Sequence, residues 1–170
     1  MKRIGFPALV SPLLIGLLLF TGSCSLLTNP GNRTTRKQGG VEYSIETDRR
    51  DYQLSNTVII LYRVTNQSGK IISLGSVPNC DYCKHQLTIT QADQEIWKSC
   101  RVIPPCGWTE FSLQPGETWE YSENWGMTDD HGTLEPGDDF PVGSGHYQVS
   151  GQLYPGDGPR VPISVSINIK

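Results

Sequence analysis

The chain has 170 residues, of which 36% are hydrophobic, 18% are charged and 9% are aromatic, with a formal net charge of −3 at pH 7. This composition is too polar for a protein that crosses a membrane many times and too apolar for a disordered chain. The small negative charge gives no broad basic surface, which excludes nucleic acid as an expected partner. The 18 glycines and 12 prolines are typical of a small domain with many turns.

The amino terminus has the order of an export signal. Lys2 and Arg3 form a short basic region, residues 4–20 are mostly apolar, and small residues follow up to Cys24. The stretch from Thr21 to Cys24 is similar to a bacterial lipobox, in which the cysteine is lipidated after cleavage. We therefore predict a signal peptide at residues 1–23 and lipid attachment at Cys24. A retained membrane anchor and ordinary secretion are the alternatives.

Residues 24–40 show neither the period of a helix nor that of a strand. They are predicted to be the lipidated cysteine and a flexible tether, spanning roughly 20–24 Å if the segment behaves as a coil. The expected location is the cell envelope. There the lipid would hold the protein on a membrane, and the domain would face an extracytoplasmic compartment.

From Val41 onward, apolar residues recur with a period of two, which is typical of strands with one buried face. The predicted strands lie at residues 41–46, 57–66, 70–74, 86–90, 95–98, 117–123, 147–153 and 161–169. No segment after the tether sustains a helical period. The pattern predicts an all-β domain at residues 41–170, built as an antiparallel sandwich, with a closed barrel as the alternative.

Four cysteines fall within 27 residues of the chain. They are Cys80, Cys83, Cys100 and Cys106. With His85 nearby, their spacing also suits zinc, but the predicted export favours disulfides because an oxidising compartment links paired cysteines.

The pairing of these cysteines follows from a predicted hairpin with its turn at Ala92 and Asp93. Residues opposed across that turn have numbers that add to about 185. Two disulfides, one enclosed by the other in the sequence, satisfy this rule approximately, and we predict this nested ladder. The predicted bonds are Cys80–Cys106 and Cys83–Cys100. A thiol–disulfide enzyme would instead need a bond between Cys80 and Cys83.

Several landmarks occur in a recognisable order. They are Tyr52 and Leu54, VTNQSGK at 64–70, EIW at 95–97, LQPGE at 113–117, Tyr121 and Trp125, and GHYQV at 145–149. This order resembles the intracellular proteinase inhibitor domain of the BsuPI type, over about residues 41–170. The resemblance implies an immunoglobulin-like sandwich that binds proteins and inhibits a protease. The chain differs by its export signal, its cysteine-rich hairpin and a long loop at 126–145.

Motifs of serine hydrolases, zinc proteases, nucleotide-binding loops and dinucleotide-binding folds are absent from the sequence. We therefore expect no enzymatic activity, no metal and no cofactor. The expected function is a lipid-anchored protein-binding module in the cell envelope, with a protease as one partner. The alternative is a structural scaffold lipoprotein without inhibitory activity.

The long loop at residues 126–145 is the predicted partner-binding element. Its acidic side chains could hold calcium, although the loop lacks the calcium-binding pattern and acidic loops are usually solvated. Connections of this length in compact domains are often functional. The partner-binding residues that we predict are Asp129, Asp130, His131 and Trp108. We expect Trp108 to pack on a disulfide or to stay partly exposed.

Overall fold

The computed structural model of the chain describes residues 31–78, 85–99, 107–129, 140–153 and 160–170. These residues form thirteen strands and no helix, which confirms the predicted all-β class. The strands are β1 (Asn32–Gln38), β2 (Val41–Thr47), β3 (Asp51–Tyr52), β4 (Val58–Asn66), β5 (Ile72–Pro78), β6 (His85–Gln91), β7 (Gln94–Lys98), β8 (Trp108–Leu113), β9 (Thr118–Trp125), β10 (Thr128–Asp129), β11 (Phe140–Pro141), β12 (Gly145–Leu153) and β13 (Ile163–Ile169). Over the same ranges, no helix is long and apolar enough to cross a membrane.

The described strands pair into two larger sheets and two small ones. Sheet A has the order β1-β2-β4-β9, and sheet B has the order β3-β13-β12-β6-β7. The small sheets are β5-β8 and β10-β11. The pairings in the described residues are antiparallel apart from the short parallel pairing of β3 with β13, so the predicted antiparallel arrangement is confirmed.

One hydrophobic core takes side chains from both larger sheets. In sheet B, alternate residues from Val161 to Ile169 are buried, which confirms the face predicted from the sequence. In sheet A, alternate residues of β4 are buried, and Ile60, Tyr62 and Val64 are 0% exposed. Because successive side chains of a strand point to opposite faces, this alternation places each sheet with one face in the core and one toward water.

The prediction that residues 24–40 form a flexible tether is wrong from Asn32 onward. Asn32–Gln38 form β1, an edge strand whose residues pair one for one with β2. The connection is a tight turn at Gly39 and Gly40, whose φ angles of 61° and 83° suit residues without a side chain.

The polar character of β1 explains why its sequence shows no strand period. Most of its side chains are exposed, so neither face needs apolar residues. Two of its cations, Arg33 and Lys37, lie 3.7 Å and 3.3 Å from the carboxylate of Glu42 on β2. Such exposed ion pairs contribute little, so the backbone pairing with β2 is the main source of order.

The turn between β6 and β7 and the strand β8 can also be compared with the predictions from the sequence. The turn predicted at Ala92 and Asp93 is confirmed, since both residues have positive φ angles and Gln91 pairs with Gln94 across it. Strand β8 was not predicted. In this strand only Leu113 is fully buried, so the apolar alternation that marks the other strands is missing.

The side chain of Asn66 joins the two segments that carry most of the family resemblance. Asn66 is fully buried at the end of β4. Its Nδ2 donates to the carbonyl oxygens of Lys70 at 2.8 Å and of Leu113 at 2.9 Å. Its Oδ1 accepts hydrogen bonds from the backbone nitrogen and the hydroxyl of Ser68. The amide is therefore fully used, as a buried polar group requires.

The backbone of Asn66 extends this connection to the next turn. Its nitrogen donates to the carbonyl of Glu117, and its own carbonyl accepts from the nitrogen of Gly116, both at 2.9 Å. Gly116 has a φ of 77°, and the Glu117 carboxylate accepts from the nitrogen of Gln114 at 2.7 Å. The Pro-Gly-Glu motif is thus a turn that fits the end of β4.

Gly151 on β12 gives a direct test of how tightly the two larger sheets pack. A Cβ added there would lie 2.8 Å from Tyr62 and 3.2 Å from both Ile45 and Leu87. Since these neighbours are buried and cannot move away cheaply, we expect Gly151→Ala to lower the free energy of unfolding by about 1–3 kcal/mol. Urea unfolding followed by tryptophan fluorescence measures the change.

The matched control for this substitution is Ser150→Ala, at the next position of the same strand on the opposite face. We expect that variant to stay within about 0.5 kcal/mol of the parent. If Gly151→Ala unfolds at the same urea concentration as the control, the two sheets do not meet as described.

Candidate functional site

The predicted partner-binding loop leaves and rejoins the domain through the β10–β11 pair. Asp129 pairs with Phe140, and Thr128 pairs with Pro141. The loop residues between these strands, including Asp130 and His131, lie outside the described residues. Asp129 is therefore placed at the end of a paired strand, where its backbone position is fixed from both sides.

The β10 end of this pair is attached to the core. Trp125 is buried, and its Nε1 donates to the carbonyl of Thr128 at 2.9 Å. Met127 is buried as well, and its carbonyl accepts from the nitrogen of Val142 at 3.0 Å. Met127 has a φ of 60°, a conformation that costs free energy for a residue other than glycine and that the surrounding contacts must hold.

The β11 end is held by Tyr147 on β12. Its hydroxyl donates to the carbonyl of Gly143 at 2.7 Å, and its ring lies 5.9 Å from that of Trp125. Burial raises the pKa of Tyr147, and the nearby Asp129 carboxylate raises this pKa further. Both causes keep the hydroxyl protonated at neutral pH, so it remains a hydrogen-bond donor to the loop.

The side chains at the β10–β11 pair differ in character. Phe140 is 57% exposed, whereas Asp129, opposite it, is partly buried. Large aromatic residues are enriched at protein-binding surfaces. The sequence analysis missed Phe140, although an aromatic residue within an acidic, glycine-rich loop was a usable signal.

Trp108, the fourth predicted partner-binding residue, lies elsewhere in the fold. It is 54% exposed on β8, opposite Pro78 of β5, as the sequence analysis expected. The structure places it in the β5–β8 sheet and Asp129 in the β10–β11 sheet. The proposed site accordingly rests on Asp129 and Phe140, and a role for Trp108 stays a prediction.

The tryptophans do not form one exposed platform. Trp125 is buried, and Trp97 and Trp119 are partly buried and pack against the core. Trp119 makes an edge contact with Phe111 at 5.6 Å and stacks on Tyr121 at 6.5 Å between ring centres. Trp119 and Tyr121 thus lie on one face of β9.

The predicted lipid attachment site Cys24 and all four hairpin cysteines lie outside the described residues. The strands on both sides of these cysteines nevertheless have a defined register. Pro78 pairs with Trp108, and Thr88 pairs with Lys98. Both pairs have residue numbers that add to 186, as do those of Cys80 and Cys106. The outer disulfide stays a prediction.

Catalytic and metal-binding chemistry was not expected from the sequence. Within the parts of the chain that the structure describes, no three side chains of His, Cys, Asp or Glu come together in a group that could hold a metal ion. His146 is exposed on β12, and its Nδ1 is hydrogen-bonded to Asn168. The absence of activity, metal and cofactor stays a prediction.

Comparisons with known proteins give little further guidance. No protein-family model and no curated protein matches the chain. A β-glucosidase from Erythrobacter marinus is similar at 14% identity with a TM-score of 0.42, over 82% of this chain and 16% of that one. The C-terminal domain of wzt is similar at 11% identity with a TM-score of 0.41, over 83% and 78%.

A third similar structure is the alkylpurine DNA glycosylase AlkC of Pseudomonas fluorescens bound to DNA with an abasic site analog. Its identity is 11% and its TM-score 0.42, over 79% of this chain and 31% of that one. This chain thus spans about a sixth of the β-glucosidase and under a third of the glycosylase. At these identities and TM-scores, the similarities carry no inference about activity.

The disulfide prediction can be tested by mapping peptides without reduction. The nested ladder predicts that Cys80 is linked to Cys106 and that Cys83 is linked to Cys100. Digestion must place every cysteine in its own peptide, which requires cleavage before Asp81 by Asp-N and tryptic cleavage after three basic residues. Those residues are Lys84, Lys98 and Arg101.

Mass spectrometry of the linked peptides identifies the pairs. A Cys80–Cys83 bond, a Cys80–Cys100 bond, or four unlinked thiols in protein purified from the cell envelope would contradict the ladder. As a control, digestion after reduction should release all four cysteine peptides separately.

Proposed function

We propose that the protein is an exported, lipid-anchored immunoglobulin-like sandwich that binds a partner protein in the cell envelope and has no catalytic activity. Its partner-binding site would be the loop at residues 126–145, centred on Asp129 and Phe140. The anchor would be the lipid on Cys24.

The observation that carries this proposal is the attachment of both loop ends to the core. Trp125 and Met127 fix the strand that enters the loop, and Tyr147 fixes the segment that leaves it. A loop with fixed ends loses less conformational entropy on binding than one that moves as a whole. This arrangement is suited to presenting side chains to another protein.

The charge of the loop indicates the chemistry of the partner. Residues 126–145 contain five acidic residues and neither lysine nor arginine. We infer that the partner presents a basic surface around an apolar pocket that accepts the Phe140 ring. An anionic lipid headgroup does not fit, because it would be repelled by the acidic residues.

The two larger sheets support the sandwich part of the proposal. Each turns one apolar face toward a common core, as an immunoglobulin-like sandwich does. The segments that resemble the inhibitor family are engaged in the turn contacts of Asn66. A binding role for the long loop therefore rests on the contacts that hold its two ends and on the charge of the loop.

Site-specific crosslinking tests the proposal. We expect a photoreactive phenylalanine analogue at Phe140, in the full-length protein in its native membranes, to give one covalent adduct with an envelope protein. Because charge attraction contributes to the encounter, the yield should fall severalfold at about 1 M salt, where the screening length is about 3 Å. Immunoblotting after irradiation measures the yield.

The control is the same photoreactive residue at Ser122, an exposed position of β9 on the outer face of sheet A. It should give no adduct with that protein. No adduct from position 140, or the same adduct from both positions, would refute the loop as the binding site. A protease in the adduct would assign inhibition, and a structural component would assign the scaffold role.

A further inference from the structure

The outer face of sheet B carries uncharged polar side chains along its centre. Its three central strands, β6, β12 and β13, contain no Lys, Arg, Asp or Glu. The side chains that face away from the core include hydroxyls and amides on all three strands. Examples are Thr88, Thr90, Gln148, Ser150, Ser164 and Ser166.

Sheet A differs sharply in this respect. Its four strands carry eight Lys, Arg and Glu residues, and several form ion pairs on the outer face. Arg63, for example, contacts both Glu46 and Glu120. The lack of charge is therefore specific to the three central strands of sheet B. Charged residues flank them on the same face, Asp51 on β3 and Glu95 and Lys98 on β7.

A cavity of about 320 Å³ lies at one end of the uncharged face. The turn residues Ala92 and Asp93 line one side, and His146, Gln148 and Ser166 are among the residues on the other. No lysine or arginine lines the cavity. Its volume is at the lower end of that of small-ligand sites, which is roughly 300–1,000 Å³.

The state of His146 follows from its hydrogen-bond partners. Hydrogen bonds from Asn168 and Lys170 lower the pKa of Asp51, so Asp51 is an anion and only accepts hydrogen bonds. Asn168 donates its Nδ2 to Asp51 at 3.1 Å and therefore turns its Oδ1 to His146. The Nδ1 of His146 therefore donates to Asn168, and in this tautomer of the imidazole Nε2 is an acceptor.

Other groups in the cavity are acceptors as well. Gln148 donates its Nε2 to the Ser164 hydroxyl at 2.9 Å, so its Oε1 is left to accept. Asp93 supplies a carboxylate. The hydroxyls of Thr90 and Ser166 both donate and accept. A complementary ligand has several donors, little or no negative charge, and a size close to that of one or two sugar rings.

We propose that this cavity and the adjoining face of sheet B bind a neutral carbohydrate. Sugar hydroxyls donate to His146, Gln148 and Asp93. The hydroxyl and amide groups along the strands bind the remaining sugar units of the oligosaccharide. The uncharged central strands suit this ligand, since neutral groups cost less to remove from water than charges do. The site adjoins the loop proposed to bind a protein, because Tyr147 both lines the cavity and holds Gly143. The two proposals rest on different side chains, so either proposal can fail alone.

The test uses the full-length protein in lipid nanodiscs, which avoids glycoside detergents. Neutral oligosaccharides of glucose and of N-acetylglucosamine are titrated, and binding is followed by saturation-transfer NMR. We expect saturable binding of at least one of them. Gln148→Ala and His146→Ala should each weaken it about tenfold, since each removes one hydrogen-bond acceptor for a sugar hydroxyl.

His146→Gln, which keeps an acceptor, should retain more affinity than His146→Ala. Ser122→Ala, on the outer face of sheet A, is the matched control and should bind like the parent. The proposal is overturned if no oligosaccharide binds up to about 10 mM, if Gln148→Ala binds as well as the control, or if inorganic phosphate or spermidine binds better than every sugar.

Discussion

Asn66, with its buried side-chain amide, links the end of β4 to three other parts of the chain through hydrogen bonds. Its side chain accepts from Ser68, donates to Lys70 and Leu113, and its backbone pairs with the turn at Gly116 and Glu117. These contacts link the end of β4 in sheet A to the start of β5, the end of β8 and the start of β9. If the amide were lost, the carbonyl groups of Lys70 and Leu113 would each lose a hydrogen-bond donor, and the lost bond to Leu113 is a buried one.

This arrangement separates the structural from the functional parts of the molecule. The Asn-Gln-Ser-Gly and Pro-Gly-Glu segments are used in turns, which explains their sequence without any contact to a partner. The exposed Phe140 ring at the base of the long loop and the uncharged central strands of sheet B lie outside these turns. Both proposals about binding concern these features.

The sequence predicted the strands that bury one face and did not predict the others. In β4 and β13 the burial of one face requires apolar residues at alternate positions. This pattern is visible in the sequence, so both strands were predicted. In β1 and β8 the order comes from pairing with a partner strand, and exposed polar residues give no such pattern. The cavity could not be found for a similar reason, since Thr90, His146 and Ser166 meet only through the register of three strands.

The most direct test of the account is the stability of Asn66→Asp, which keeps the shape of the side chain but replaces the donor with a carboxylate. With two carbonyl oxygens facing this charge, we expect a loss of about 3–5 kcal/mol in the free energy of unfolding at neutral pH. Asn124→Asp, at an exposed position of β9, is the control and should change it by less than about 0.5 kcal/mol. Equal urea midpoints for the two variants would contradict the central place given to Asn66.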